Sequence, residues 1–116
     1  MGKAAEARNE VAATLDKSSD AGPSRWMLFA DAAEVYSKIG DCELAAKTYS
    51  GADALIGKNW PRDWLGNRLY YASECAVKTN PTEAVRPAKE ALATYGNLLG
   101  EKAERRTRLL VLSIPK

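Results

Sequence analysis

Apolar positions along this chain recur at three- and four-residue intervals almost from end to end, the spacing of one face of an α-helix. The sharpest stretch is Phe29, Ala32, Ala33, Tyr36, Gly40, Ala45, Tyr49, Ala52 and Gly57, where small residues alternate with aromatic ones. Small residues let two helix axes approach to ~8–10 Å while large ones fill the space beside the crossing. A fainter echo follows, since Ala45 and Ala84, like Ala52 and Ala91, are 39 residues apart. The pattern predicts an all-α fold of stacked helical hairpins, with no alternating strand segment.

Punctuation divides the pattern into a leading helix (3–17), a hairpin (24–57), a second hairpin (61–98) and a closing helix (101–113), read as one domain over 1–116. Ala4, Ala7, Val11 and Leu15 stripe the leading helix, and residues 18–23 break it. Ser24 is the expected N-cap of the next helix, Gly40 its positive-φ terminator, and Asp41 the cap of the helix after. So short a connection forces antiparallel neighbours. Residues 58–63 form the loop between hairpins, and Pro61 suits a helical first turn. The fourth helix is expected to turn Trp64 or Leu65, then Leu69, Ala72, Cys75 and Ala76 inward. Asn80, Pro81 and Glu83 read as a restart, with Asn as cap. Pro87 then predicts either a kink or a delayed helix start. The closing helix is expected to bury Ala103, Thr107, Leu110, Val111 and Ile114.

Length and composition fit one core: 116 residues, 46% hydrophobic and 28% charged. No apolar run approaches the ~20 residues of a membrane span, and no signal core follows Met1, so a cytoplasmic protein is expected. The net charge of +2 is too small by itself to argue for nucleic acid, and direct nucleic-acid binding is not expected. Residues 101–116 hold five basic and two acidic side chains, a net +3, which leaves −1 for the rest. A basic terminal helix suits either solvent or an acidic partner.

Candidate chemistry is sparse. The chain has two cysteines and no histidine, so no metal site or cofactor is expected. Reduced thiols are expected for Cys42 and Cys75, a disulfide between them needing Cα atoms within ~7 Å. Acidic pairs one turn apart, Asp31 with Glu34 and Glu101 with Glu104, are ordinary on solvated helices. Without a nucleophile–base pair or a phosphate-cradling loop, the chain is not expected to be an enzyme.

In order and spacing, Phe29, Ala33, Tyr36, Gly40-Asp41, Ala45, Tyr49 and Ala52 resemble a tetratricopeptide-type hairpin. The second hairpin resembles it less, with Cys75 where the family has Tyr and Ala88 where it has an aromatic. Residues about 5–112 are also similar to the C-terminal helical-repeat tail of bacterial helix-turn-helix (XRE-type) transcriptional regulators. The stretches 24–40, 61–80 and Glu104-Arg105-Arg106 carry that likeness. No DNA-reading motif precedes them, so an excised tail and a standalone relative remain alternatives.

The resemblance implies a groove on the first helix of each hairpin, lined by Met27, Ala30, Glu34 and Ser37, then by Gly66, Leu69, Ser73 and Ala76. The family's carboxylate clamp of Lys, Arg and Asn is not carried over, since none of those types stands there. A protein or peptide partner is implied, as an apolar or basic segment. The alternative function is the ligand-sensing or dimerising part of a regulator. Trp60 and Trp64 are candidate aromatic anchors or loop fillers. Leu109 and Leu112, expected to face outward, are candidates for self-association into a homo-oligomer.

Overall fold

The computed structural model describes residues 2–16, 22 and 24–115. They form six α-helices: α1 (Gly2–Asp16), α2 (Arg25–Lys38), α3 (Cys42–Ile56), α4 (Arg62–Thr79), α5 (Val85–Tyr95) and α6 (Ala103–Leu112). Two 3-10 segments, Pro81–Ala84 and Gly96–Glu101, complete the helical structure, and no strand occurs among the described residues. The fold is all-α. The loop expected over 18–23, Gly22 apart, the extension of the first helix to Lys17, and the side chains of Ala4 and Glu101 lie outside the described residues. The chain divides into two compact units, Met1–Asn59 and Trp60–Lys116, and the boundary falls inside the loop over 58–63.

In the first unit α2 packs against α1 and α3. The small and aromatic positions are the buried ones: Ala33 and Ala52 are fully enclosed, and Tyr36, Ala45 and Tyr49 nearly so. Val11 and Leu15 of α1 close over Tyr36 and Ala32. Gly40 takes φ 87°, where a side chain would be strained. Asp41 Oδ1 then accepts from the Leu44 N–H at 3.3 Å, and its Oδ2 accepts from Arg8 Nε at 3.0 Å. One carboxylate thereby caps α3 and ties α1 to it. Ser24 occupies its cap position without a side-chain capping bond.

In the second unit α4 runs antiparallel to α5, as two cross-contacts show. Gly66 lies under the Tyr95 ring, and Ser73 Oγ donates to the Ala84 carbonyl at 2.7 Å. Asn80 Oδ1 accepts from the Thr82 N–H at 3.2 Å, holding the 3-10 turn. The α-helical bonding of α5 begins only at Val85, so Pro87 sits in the first turn, where its missing N–H costs no helix bond. Of the two outcomes expected there, the structure takes the delayed start. At the other end Arg62 Nε donates to the Thr94 carbonyl at 3.0 Å, satisfying a C-terminal acceptor of α5. α6 then packs on α5 and α4.

Neither cysteine is a free thiol: Cys42 at the start of α3 and Cys75 in α4 are both disulfide-bonded. This corrects the expectation of reduced thiols. Composition alone says nothing of which thiols fall within the short Cα separation a disulfide needs.

Candidate docking surface

The groove implied by resemblance is not an open surface at most of its positions. Ala30, Ser37 and Ser73 are buried, with exposures of 1%, 7% and 0%. Ser37 Oγ turns back to the Ala33 carbonyl. Leu69 packs on the core formed by Ala88, Ala91, Tyr95 and Leu109. Met27 and Glu34 remain partly exposed. The discrepancy in α4 is one of rotation. The expected inward set included Ala72, which is exposed, whereas Gly66, Tyr71 and Ser73 are buried. An alanine and a serine have similar bulk, so a pattern of apolar types misses the face that a buried, bonded hydroxyl defines.

Trp60 and Trp64 are each partly buried. The Arg68 guanidinium stands 5.1 Å from the centroid of the Trp60 ring, so one face of that indole is engaged within its own unit.

The register of α6 is the reverse of the expected one. Leu109 and Leu112 are 0% and 5% exposed and belong to the core, so they are not available for self-association. Leu110, Val111 and Ile114, expected inside, are 49%, 48% and 58% exposed. Four apolar residues in a row, Leu109 to Leu112, cover every face of a helix, so periodicity alone cannot choose between the two settings. Arg105 chooses. It shares the stripe of Leu109 and Leu112 (i, i+4, i+7), and its guanidinium carbon lies 4.4 Å from the Tyr70 ring centroid and 5.7 Å from that of Tyr71. Arg105 Nη1 donates to Asn67 Oδ1 at 2.8 Å and to the Tyr95 oxygen at 3.1 Å, while the Tyr95 hydroxyl also donates to Asn67 Oδ1. Burial works against the charge of Arg105, but the hydrogen bond with Tyr95 and the surrounding phenols prevail and hold its pKa above the usual value. Beside it, Arg108 Nε reaches Glu74 Oε1 at 2.6 Å, a second clasp between α6 and α4.

With one apolar stripe of α6 thus locked inward, the other is left without cover in this unit. Two concavities lie along α5, one shared with α6 and the other with Pro115 just beyond the end of α6. One, of about 390 Å³, is lined by Leu92, Leu99, Leu110 and Arg106 together with the 3-10 turn that joins the helices. The other, of about 420 Å³, is lined by Thr82, Val85, Arg86, Lys89 and Pro115. Val85, Lys89, Leu92 and Gly96 recur at helical spacing, so the two hollows follow one edge of α5 over about 16 Å, at 1.5 Å per residue. Both are lined by cations and apolar groups, with no carboxylate among the lining residues.

This arrangement can hold a chain segment by burial and charge. Among the described residues no group of three His, Cys, Asp or Glu side chains is placed to hold a metal ion. No helix among them is long and apolar enough to cross a membrane. No family model, curated protein or solved structure matches the chain.

Proposed function

We propose that the chain is a non-enzymatic helical module that binds a protein or peptide, in the manner of a tetratricopeptide-like adaptor or regulatory domain. One observation carries the reading: Leu110 and Val111 at the end of α6 and Ile114 just beyond it stand about half exposed, while Leu109 and Leu112 of the same helix are buried. Three large apolar side chains so close along the chain, with Leu110 lining one of the hollows, exceed the scattered exposure normal to a monomer surface. The docking surface is therefore the α5–α6 seam rather than the groove implied by resemblance.

A photoreactive side chain at Leu110 or Ile114, installed in the protein in its native cell, tests this. A discrete adduct with a second polypeptide is expected there and not at the exposed Ala46 of α3. Adducts at neither position, or equally at Ala46, would reject the site. An adduct of two copies of the 12.6 kDa chain would instead favour the dimerising region of a transcriptional regulator, whose interface would be this same face. The cytoplasmic setting expected from the sequence remains a proposal. The disulfide-bonded cysteines count against it, because reducing compartments keep thiols free.

A further inference from the structure

Resting on the reading above, we infer that the occupant of the α5–α6 seam is an acidic amphipathic helix of a partner protein. The floor of the seam is apolar, with Val85 and Leu92 on α5 and Leu110 on α6. An apolar floor exposed to water gains from covering with an apolar stripe, at about 25 cal/mol per Å² removed from solvent. The flanks are cationic at both ends: Lys89 and Arg86 at one hollow, Arg106 at the other.

Residues 85–115 contain six basic and three acidic side chains. Four of the six are accounted for or lie away from the seam. Arg86 pairs with Glu90 at 2.8 Å, Arg108 with Glu74, and Arg105 is boxed by tyrosines, while Lys102 Nζ lies 5.8 Å from the centroid of the Tyr95 ring. Lys89 and Arg106 remain, both exposed, with no ion pair among the described residues. A partner carrying Lys or Arg there would meet like charge, and one carrying Asp or Glu would complete two pairs.

The seam's length of about 16 Å matches roughly eleven residues of α-helix, three turns, at 1.5 Å per residue. A helix laid in such a groove presents its anchors at i, i+3, i+4 and i+7. The hollows offer no aromatic platform for stacked bases, and Val85, Leu92 and Leu110 line concavities instead of projecting toward a bilayer. Both features favour a protein segment over nucleic acid or membrane.

The test uses two synthetic helical peptides of about twelve residues, three turns and a little more. Both carry leucine at i, i+3, i+4 and i+7; the remaining positions are rich in glutamate in one and in lysine in the other. Fluorescence anisotropy with the full chain should show the acidic peptide binding at least about tenfold more tightly, with the preference weakening as salt rises. In the double variant Lys89→Glu/Arg106→Glu the preference should invert, with circular dichroism unchanged because both side chains are exposed. Equal binding, a lysine preference, or a preference that survives the double reversal would overturn the inference. So would failure of both peptides, which leaves the crosslinking result to judge the binding module itself. Binding to phosphatidylserine vesicles or single-stranded DNA that the same reversal abolishes, without discrimination between peptides, would overturn it in favour of those surfaces.

Discussion

A single missing methyl group sets the spacing of α4 and α5. A Cβ built on Gly66 would lie 2.7 Å from two ring carbons of Tyr95, and Tyr95 is itself fully buried. Gly51 does the same for Phe29 between α3 and α2, at 2.8 Å. Alanine improves helix propensity by about 1 kcal/mol over glycine, whereas overpacking a fixed ring costs about 1–3 kcal/mol. The clash therefore outweighs the propensity, and Gly66→Ala is expected to lower stability. Gly100→Ala, where a Cβ would meet nothing within 4 Å, is expected to stay within about 0.5 kcal/mol of the native chain. Urea unfolding of the two variants measures the contrast. A stabilised Gly66→Ala protein would mean that the ring gives way.

Among the helices, α6 shows how a charged residue can choose a face. Leu109 and Leu110 are chemically identical neighbours, yet one is 0% and the other 49% exposed. Leu109→Ala empties a filled core position and should cost about 2–5 kcal/mol. Leu110→Ala removes a half-solvated side chain and should cost well under 1 kcal/mol in the free protein. Thermal denaturation of the pair decides the register. The opposite ranking would restore the setting read from periodicity, and the seam beside α5 would lose its floor. The same logic explains α5, where the 3-10 segment at Pro81–Ala84 lets Pro87 fall in a first turn rather than bend a helix already under way.

Across the chain, both units carry phenols that resist ionisation. Tyr36 in the first is raised above 10 by burial and then by Asp41, with Arg8 opposing. Tyr70 in the second is raised by burial and then by Glu74, with Arg105 opposing. A tyrosine whose folded pKa exceeds its unfolded value keeps its proton longer in the native state. The native chain then binds more protons than the unfolded one above pH 10, and stability falls as pH rises through that range. Melting temperatures taken from pH 8 to pH 11 should therefore decline above about 10, the ordinary tyrosine pKa. Tyr36→Phe should flatten the decline. An alkaline limb identical in the variant would show that the Tyr36 hydroxyl does not contribute.

Much of the architecture was legible from local chemistry. The helical period, the turn at Gly40-Asp41, the Asn80 cap and the small-beside-aromatic crossing of α2 and α3 are properties of a few neighbouring residues, and each holds in three dimensions. The proposed docking surface was only half legible. The stripe containing Leu110, Val111 and Ile114 was recognisable as apolar, but its direction was not. Which apolar stripe of α6 turns inward depends on where the guanidinium of Arg105 finds Tyr70, Tyr95 and Asn67, on helices distant along the chain. The buried face of α4 likewise depends on Tyr95 meeting Gly66 and on the Ala84 carbonyl meeting Ser73. Local sequence determines that helices form and where they stop, because those energies act within a turn or two. Tertiary packing decides which way each helix faces, because that choice is made by contacts between residues far apart in the chain.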